Sequence, residues 1–102
     1  MIKIDFIAGY DYAGIVRHER TEVEKLEDCD WLPIAINSIV KAGHASGQKL
    51  DFIRGRKVVS LCISRNAVCG KVYETDLFLW YNWKKMAVSA DNAIAEVSKM
   101  FA

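Results

Sequence analysis

Lys49 to Trp83 reads KLDFIRGRKVVSLCISRNAVCGKVYETDLFLWYNW. Successive side chains of a strand point to opposite faces, so apolar residues two apart share a face. Two-residue loops at Gly55-Arg56, Arg65-Asn66 and Thr75-Asp76 would divide this stretch into strands whose register follows by counting outward from each loop. Phe52 then faces Val59, Val59 faces Val72 and Val72 faces Leu79. Leu50, Leu61, Gly70 and Tyr81 form the next row, and Ile63 faces Val68. All of these fall on one face. Moving the first loop to Arg54-Gly55 would set Phe52 against Lys57 and break the pattern. The stretch therefore predicts a four-stranded antiparallel meander.

The same register predicts the other face. Ile53, Val58, Tyr73 and Phe78 form one row, and Asp51, Ser60, Lys71 and Trp80 the next. Cys62, Cys69 and Asn82 follow. A solvated face would carry mostly charged residues and threonine. An apolar row across four strands with Trp80 beside it is a large patch, since each big aromatic offers about 150–250 Å². Two readings follow. Either the N-terminal segment with Tyr10 and Tyr12 folds over this face, or Ile53, Val58, Tyr73, Phe78 and Trp80 bind a partner protein or a second copy.

Upstream, Ile2, Ile4 and Phe6 alternate with Lys3 and Asp5, which predicts a half-buried strand. The run from Gly9 to Gly14 reads as a turn. Ile15 to Val23 is either a returning strand or a lead into a helix, because Thr21 and Glu24 fit a capping box. Asp30 is a candidate N-cap and Pro33 suits a first helical turn. Leu32, Ala35, Ile36, Ile39, Val40 and Gly43 form one apolar helical stripe, ended by Ser46-Gly47. At the C-terminal end Ser89 caps a second helix, with Asp91 in its first turn and Ala90, Ala93, Ile94, Val97 and Phe101 on the buried side. Together these predict a single α+β domain over residues 1–102, with element order β(β)αββββα and the meander packed on two helices.

The chain has 102 residues, 52% of them hydrophobic and 26% charged, which excludes a disordered segment. No apolar run reaches the roughly 18 residues of a membrane span, and Asp5 interrupts any leader-like apolar core. Three cysteines, an odd number, fit a reducing, cytoplasmic setting. The net charge of +1 hides an asymmetry: residues 1–48 carry five basic and eight acidic side chains, residues 49–102 nine and five. Glu19, Glu22, Glu24, Glu27, Asp28 and Asp30 read as a solvated face or as an acidic patch for a basic partner.

No catalytic, metal or cofactor motif emerges. Cys62 and Cys69 are expected opposite each other, as two reduced thiols or a redox pair. The acidic neighbours of Cys29 disfavour a thiolate there. His18 and His44 have no metal-ligand spacing, and the Gly9–Gly14 loop lacks a phosphate-binding fingerprint. Basic and aromatic residues interleave after Lys49, so Arg54, Arg56, Lys57, Lys71 and Trp80 could hold single-stranded DNA or RNA. In that reading Tyr81 and Trp83 belong either to the track or to the core. The order of helices and strands resembles double-stranded-RNA-binding domains in topology alone. The basic, alanine-rich start of their last helix has no match at Val88-Ser89-Ala90-Asp91, and no family is assigned. The expectation is a non-enzymatic protein-binding module, an inhibitor or adaptor acting on a larger intracellular complex. Accessory proteins of viruses and mobile elements include domains of this kind. The alternative is the single-stranded nucleic-acid binder.

Overall fold

Gly55 sets the first reversal of the meander. It has φ +62°, and a Cβ there would meet no neighbour within 4 Å, so the backbone conformation rather than space calls for glycine. A positive φ at the first central residue is the pattern of a type II′ hairpin turn. The computed structural model describes residues 1–7, 10–11, 14–15, 18–42, 48–68 and 71–102. At 10–11, 14–15, 42, 64–68 and 71–76 it describes the backbone alone.

The chain folds as α+β. Its strands are β1 (Ile2–Ile7), β2 (Tyr10–Asp11), β3 (Gly14–Ile15) and β4 (His18–Val23). After α1 (Leu32–Ala42) come β5 (Lys49–Arg54), β6 (Lys57–Val68), β7 (Lys71–Tyr81) and β8 (Lys84–Ala87), then α2 (Ala93–Met100). Six strands form one antiparallel sheet in the order β4-β1-β5-β6-β7-β8, and β2 pairs with β3 in a two-stranded ladder. The four-stranded meander is β5 to β8. Of the ambiguous segment before α1, His18–Val23 is strand: pairing with β1 sets Thr21 opposite Ile4 and Val23 opposite Ile2.

Both helices pack on one face. Ile2, Ile4, Phe6, Leu50, Phe52, Val59, Leu61, Leu77 and Leu79 meet Leu32, Ala35, Ile36 and Ile39 of α1 and Ala93 and Val97 of α2 in one buried cluster. The α1 stripe is narrower than its sequence suggests. Val40 is exposed, while Gly43 and the Ser46-Gly47 stop lie outside the described residues. The helix begins at Leu32, and the Ala35 N–H donates to the Trp31 carbonyl at 2.9 Å, so Asp30 lies one residue before the cap position. Ser89 caps a preceding turn instead of α2 itself: the Asn92 N–H approaches the Ser89 hydroxyl at 3.3 Å and its carbonyl at 3.1 Å.

Two of the three expected reversals are absent. β6 runs straight through Arg65-Asn66, and β7 through Thr75-Asp76. The two strands pair as far as Val68 opposite Lys71, and residues 69–70 lie outside the described residues. Leu61 therefore pairs directly with Leu79, not through Gly70, and Ile63 pairs with Leu77 instead of Val68. Val72 sits opposite Ala67, not Val59. Two long strands keep the apolar alternation of the buried face with fewer reversals. Arg65-Asn66 marks a register shift, where one strand carries an extra residue. The last reversal uses Asn82 and Trp83, with φ +51° and +65°, the pattern of a type I′ turn.

Candidate partner-binding corner of the sheet

The corrected register redraws the face away from the helices. The expected row Ile53, Val58, Tyr73 and Phe78 does not form. Ile53 does pair with Val58, but Lys3 is its neighbour on the other side. Tyr73 lies between Val72 and Thr75, level with the register shift near Ala67 and far from Val58; its side chain is outside the described residues. The next row runs Arg20, Asp5, Asp51, Ser60, Trp80 and Lys85, with no place for Lys71, which pairs with Val68. The row below runs His18, Ile7, Lys49, Cys62, Phe78 and Ala87.

The face thus divides into two halves. On β4, β1 and β5 it is mostly ionic, around a buried Ile7. Asp5 accepts from Arg20 Nε at 3.1 Å and contacts His18, while Lys49 approaches Asp51 at 3.3 Å and the Ser60 hydroxyl donates to Asp51 at 2.7 Å. Burial alone would raise the Asp5 carboxyl, but its hydrogen bonds and charge contacts with His18 and Arg20 outweigh this and hold it below its ordinary value. The other half is apolar. Val58 is 44% and Trp80 37% exposed, with Ile53 and Phe78 half-buried beside them. Lys85 Nζ lies over the Phe78 and Trp80 rings at 5.5 and 5.4 Å, a cation–π arrangement.

Trp83, which the sequence sets either in the basic and aromatic track or in the core, is a surface residue. Its indole is 87% exposed at the tip of the β7–β8 hairpin, neither core nor half-buried. Tryptophan with φ near +65° is strained by roughly 1–2 kcal/mol, where glycine would be at ease. The only sequence signal for the turn itself was Asn82, which tolerates the left-handed region.

The nucleic-acid candidates separate. Arg54 and Lys57 turn to the helix side, opposite Trp80. Lys57 donates to the Met100 carbonyl at the end of α2 and lies 5.3 Å from the Tyr81 ring and 5.4 Å from the Phe101 ring. Arg54 lies 5.4 Å from the same Phe101 ring. These cations close the C-terminal end of a helix, where positive charge is favoured. Arg56 stays exposed in its turn. The acidic residues are likewise dispersed. Glu19 pairs with Phe6 on the helix side and Glu22 with Lys3 on the other, while Glu27 and Asp28 occupy a 3-10 turn, with Glu24 before it and Asp30 after. Glu19 borders a cleft of about 270 Å³ with Trp31, Ile34 and Ser38.

Cys62 pairs with Lys49 and Phe78, not with Cys69, which lies outside the described residues. The expected cross-strand cysteine pair is therefore not formed by this register. Burial pushes both the Cys29 and the Cys62 thiols up, which keeps them protonated near neutrality. Among the described residues no three His, Cys, Asp or Glu side chains converge as a metal site, and no helix is long and apolar enough to cross a membrane. Compared with protein-family models, curated proteins and solved structures, the chain matches none.

Proposed function

We propose that the protein is a non-catalytic binding module that occupies a surface of a larger protein, as an inhibitor or an adaptor. One observation carries this reading: Val58 and Trp80 lie exposed on neighbouring strands of the helix-free face, with Ile53 and Phe78 beside them. Exposed apolar surface around a tryptophan is the composition of an interface centre. The ionic half of the same face would supply a rim that fixes orientation. The nucleic-acid reading is the weaker one, because Arg54 and Lys57 are engaged with Phe101 on the opposite side from Trp80.

The test is photo-crosslinking in cells that produce the protein naturally. A photoreactive residue at Val58 should give one discrete protein adduct, and the same residue at exposed Asn37 on α1 should not. Failure of Val58 to crosslink, or the same adduct from both positions, would remove the reading. Retention on single-stranded DNA at low salt, lost with Trp80→Ala, would replace it with the alternative.

A further inference from the structure

β8 ends the sheet, and all four of its side chains are exposed. Its register with β7 pairs Tyr81 with Lys84 and Leu79 with Met86, and the Val88 N–H donates to the Leu77 carbonyl at 3.0 Å. Antiparallel ladders alternate, so if Val88 bonds inward, the N–H and C=O of Ala87 are aimed away from β7. A strand edge of this kind is a template for another strand.

Two further features say what kind of strand fits. On the helix side, α2 stops short of β8. Met86, 40% exposed, separates two grooves between them. One, of about 250 Å³, is lined by Leu79, Tyr81 and Met100 with Lys84 and Lys85; the other, of about 420 Å³, by Leu77 and Val88 with Ser89, Asn92 and Glu96, whose carboxylate is paired with Lys99. An added strand would set an apolar side chain over Met86 and complete the core at that margin. The second feature is charge. Residues 77–90 contain Lys84 and Lys85 and no carboxylate. Antiparallel pairing of β8 with β8 of a second copy gathers four lysines along one seam and, when centred on Lys85, sets lysine directly against lysine, which is unfavourable. A strand with carboxylates opposite Lys84 and Lys85 meets no such penalty.

We propose that β8 is the docking edge for the partner: an extended segment of another protein, with adjacent acidic residues followed or preceded by apolar ones, adds to the sheet beside β8. This rests on the protein-binding reading above and names the partner's chemistry. The backbone ladder would supply affinity, the Met86 groove and the two lysines selectivity. Trp83 and Trp80 would flank the added strand at its end and on its outer side.

The experiment is an amide NMR titration of the full chain with a short acetylated peptide rich in valine and threonine that carries two central glutamates. The expected result is shifts confined to Lys84–Val88 and their β7 partners, with slowed exchange at the Ala87 amide. The same peptide with lysines for glutamates should bind at least tenfold more weakly. Ala87→Pro should abolish the shifts, because proline removes the outward N–H yet is tolerated on an edge strand. Should that variant fail to fold, joint Lys84→Glu and Lys85→Glu substitution should instead reverse the peptide preference. Shifts on β4, equal binding of both peptides, or self-association that Ala87→Pro dissolves would overturn the proposal. A Val58 crosslink that survives in Ala87→Pro would leave the protein-binding reading standing while removing strand addition.

Discussion

Replacing Trp83 with glycine should make the protein more stable. The residue holds φ +65°, which costs a side chain with a Cβ roughly 1–2 kcal/mol. Its indole is 87% exposed, so only about an eighth of its surface would be lost from contact. For an aromatic of about 250 Å² that is near 30 Å², worth about 0.7 kcal/mol at 25 cal/mol per Å². The relief exceeds the loss, and Asn-Gly is also the preferred pair for a type I′ turn. The net expectation for Trp83→Gly is about 1 kcal/mol of added stability, equivalent to a rise in Tm of roughly 4–8 °C for a domain of this size. Urea unfolding followed by circular dichroism measures it, and the slope should not change. A loss of stability would mean that the indole packs against something and is not held in surplus at the tip. A gain would mean that the chain keeps a strained, exposed tryptophan at a cost, as expected of a contact residue.

Three other perturbations test separate parts of the account. Lys57→Ala should destabilise by about 1–2 kcal/mol, since it removes the cation that closes α2 at Met100 and lies over Tyr81 and Phe101; urea unfolding reads this directly. The lowered Asp5 pKa means that its stabilisation is complete above the unfolded-state value near pH 4 and is lost as pH falls through the folded value. Asp5→Asn should therefore flatten that part of the acid limb in a plot of stability against pH. Leu61→Ala, at a fully buried position in the cluster, should cost about 2–5 kcal/mol by thermal or urea unfolding.

Much of the buried side was legible in the chain because burial leaves a periodic record. Phe52 opposite Val59 and Leu50 opposite Leu61 follow from a glycine turn and a strict alternation, and both pairs form. Ala93, Val97 and Phe101 recur at helical spacing and are buried. The exposed side was less legible because nothing there forces a pattern. Counting outward from Arg65-Asn66 put Val58 beside Tyr73, whereas the observed pairing puts Cys62 beside Phe78. Extended strands of 12 and 11 residues leave no turn signal in their middles. β8 was hidden for a different reason: Lys84-Lys85-Met86-Ala87 has no apolar alternation, as suits an edge, and the turn before it uses a tryptophan. Ile53, Val58, Phe78 and Trp80 were nevertheless placed on the correct face, since their parity survives the changed pairing.

The central claim is that the Val58–Trp80 corner is surface in the free protein and contact in the complex. Equilibrium unfolding of the Val58→Lys variant tests its first half most directly. Val58 is 44% exposed and a lysine there can keep its stem on the sheet with its ammonium in water, so the expected stability is within about 1 kcal/mol of the wild type. A loss of 3 kcal/mol or more would show that the lysine had been forced into a packed interior, and would contradict the claim that this corner is free to bind.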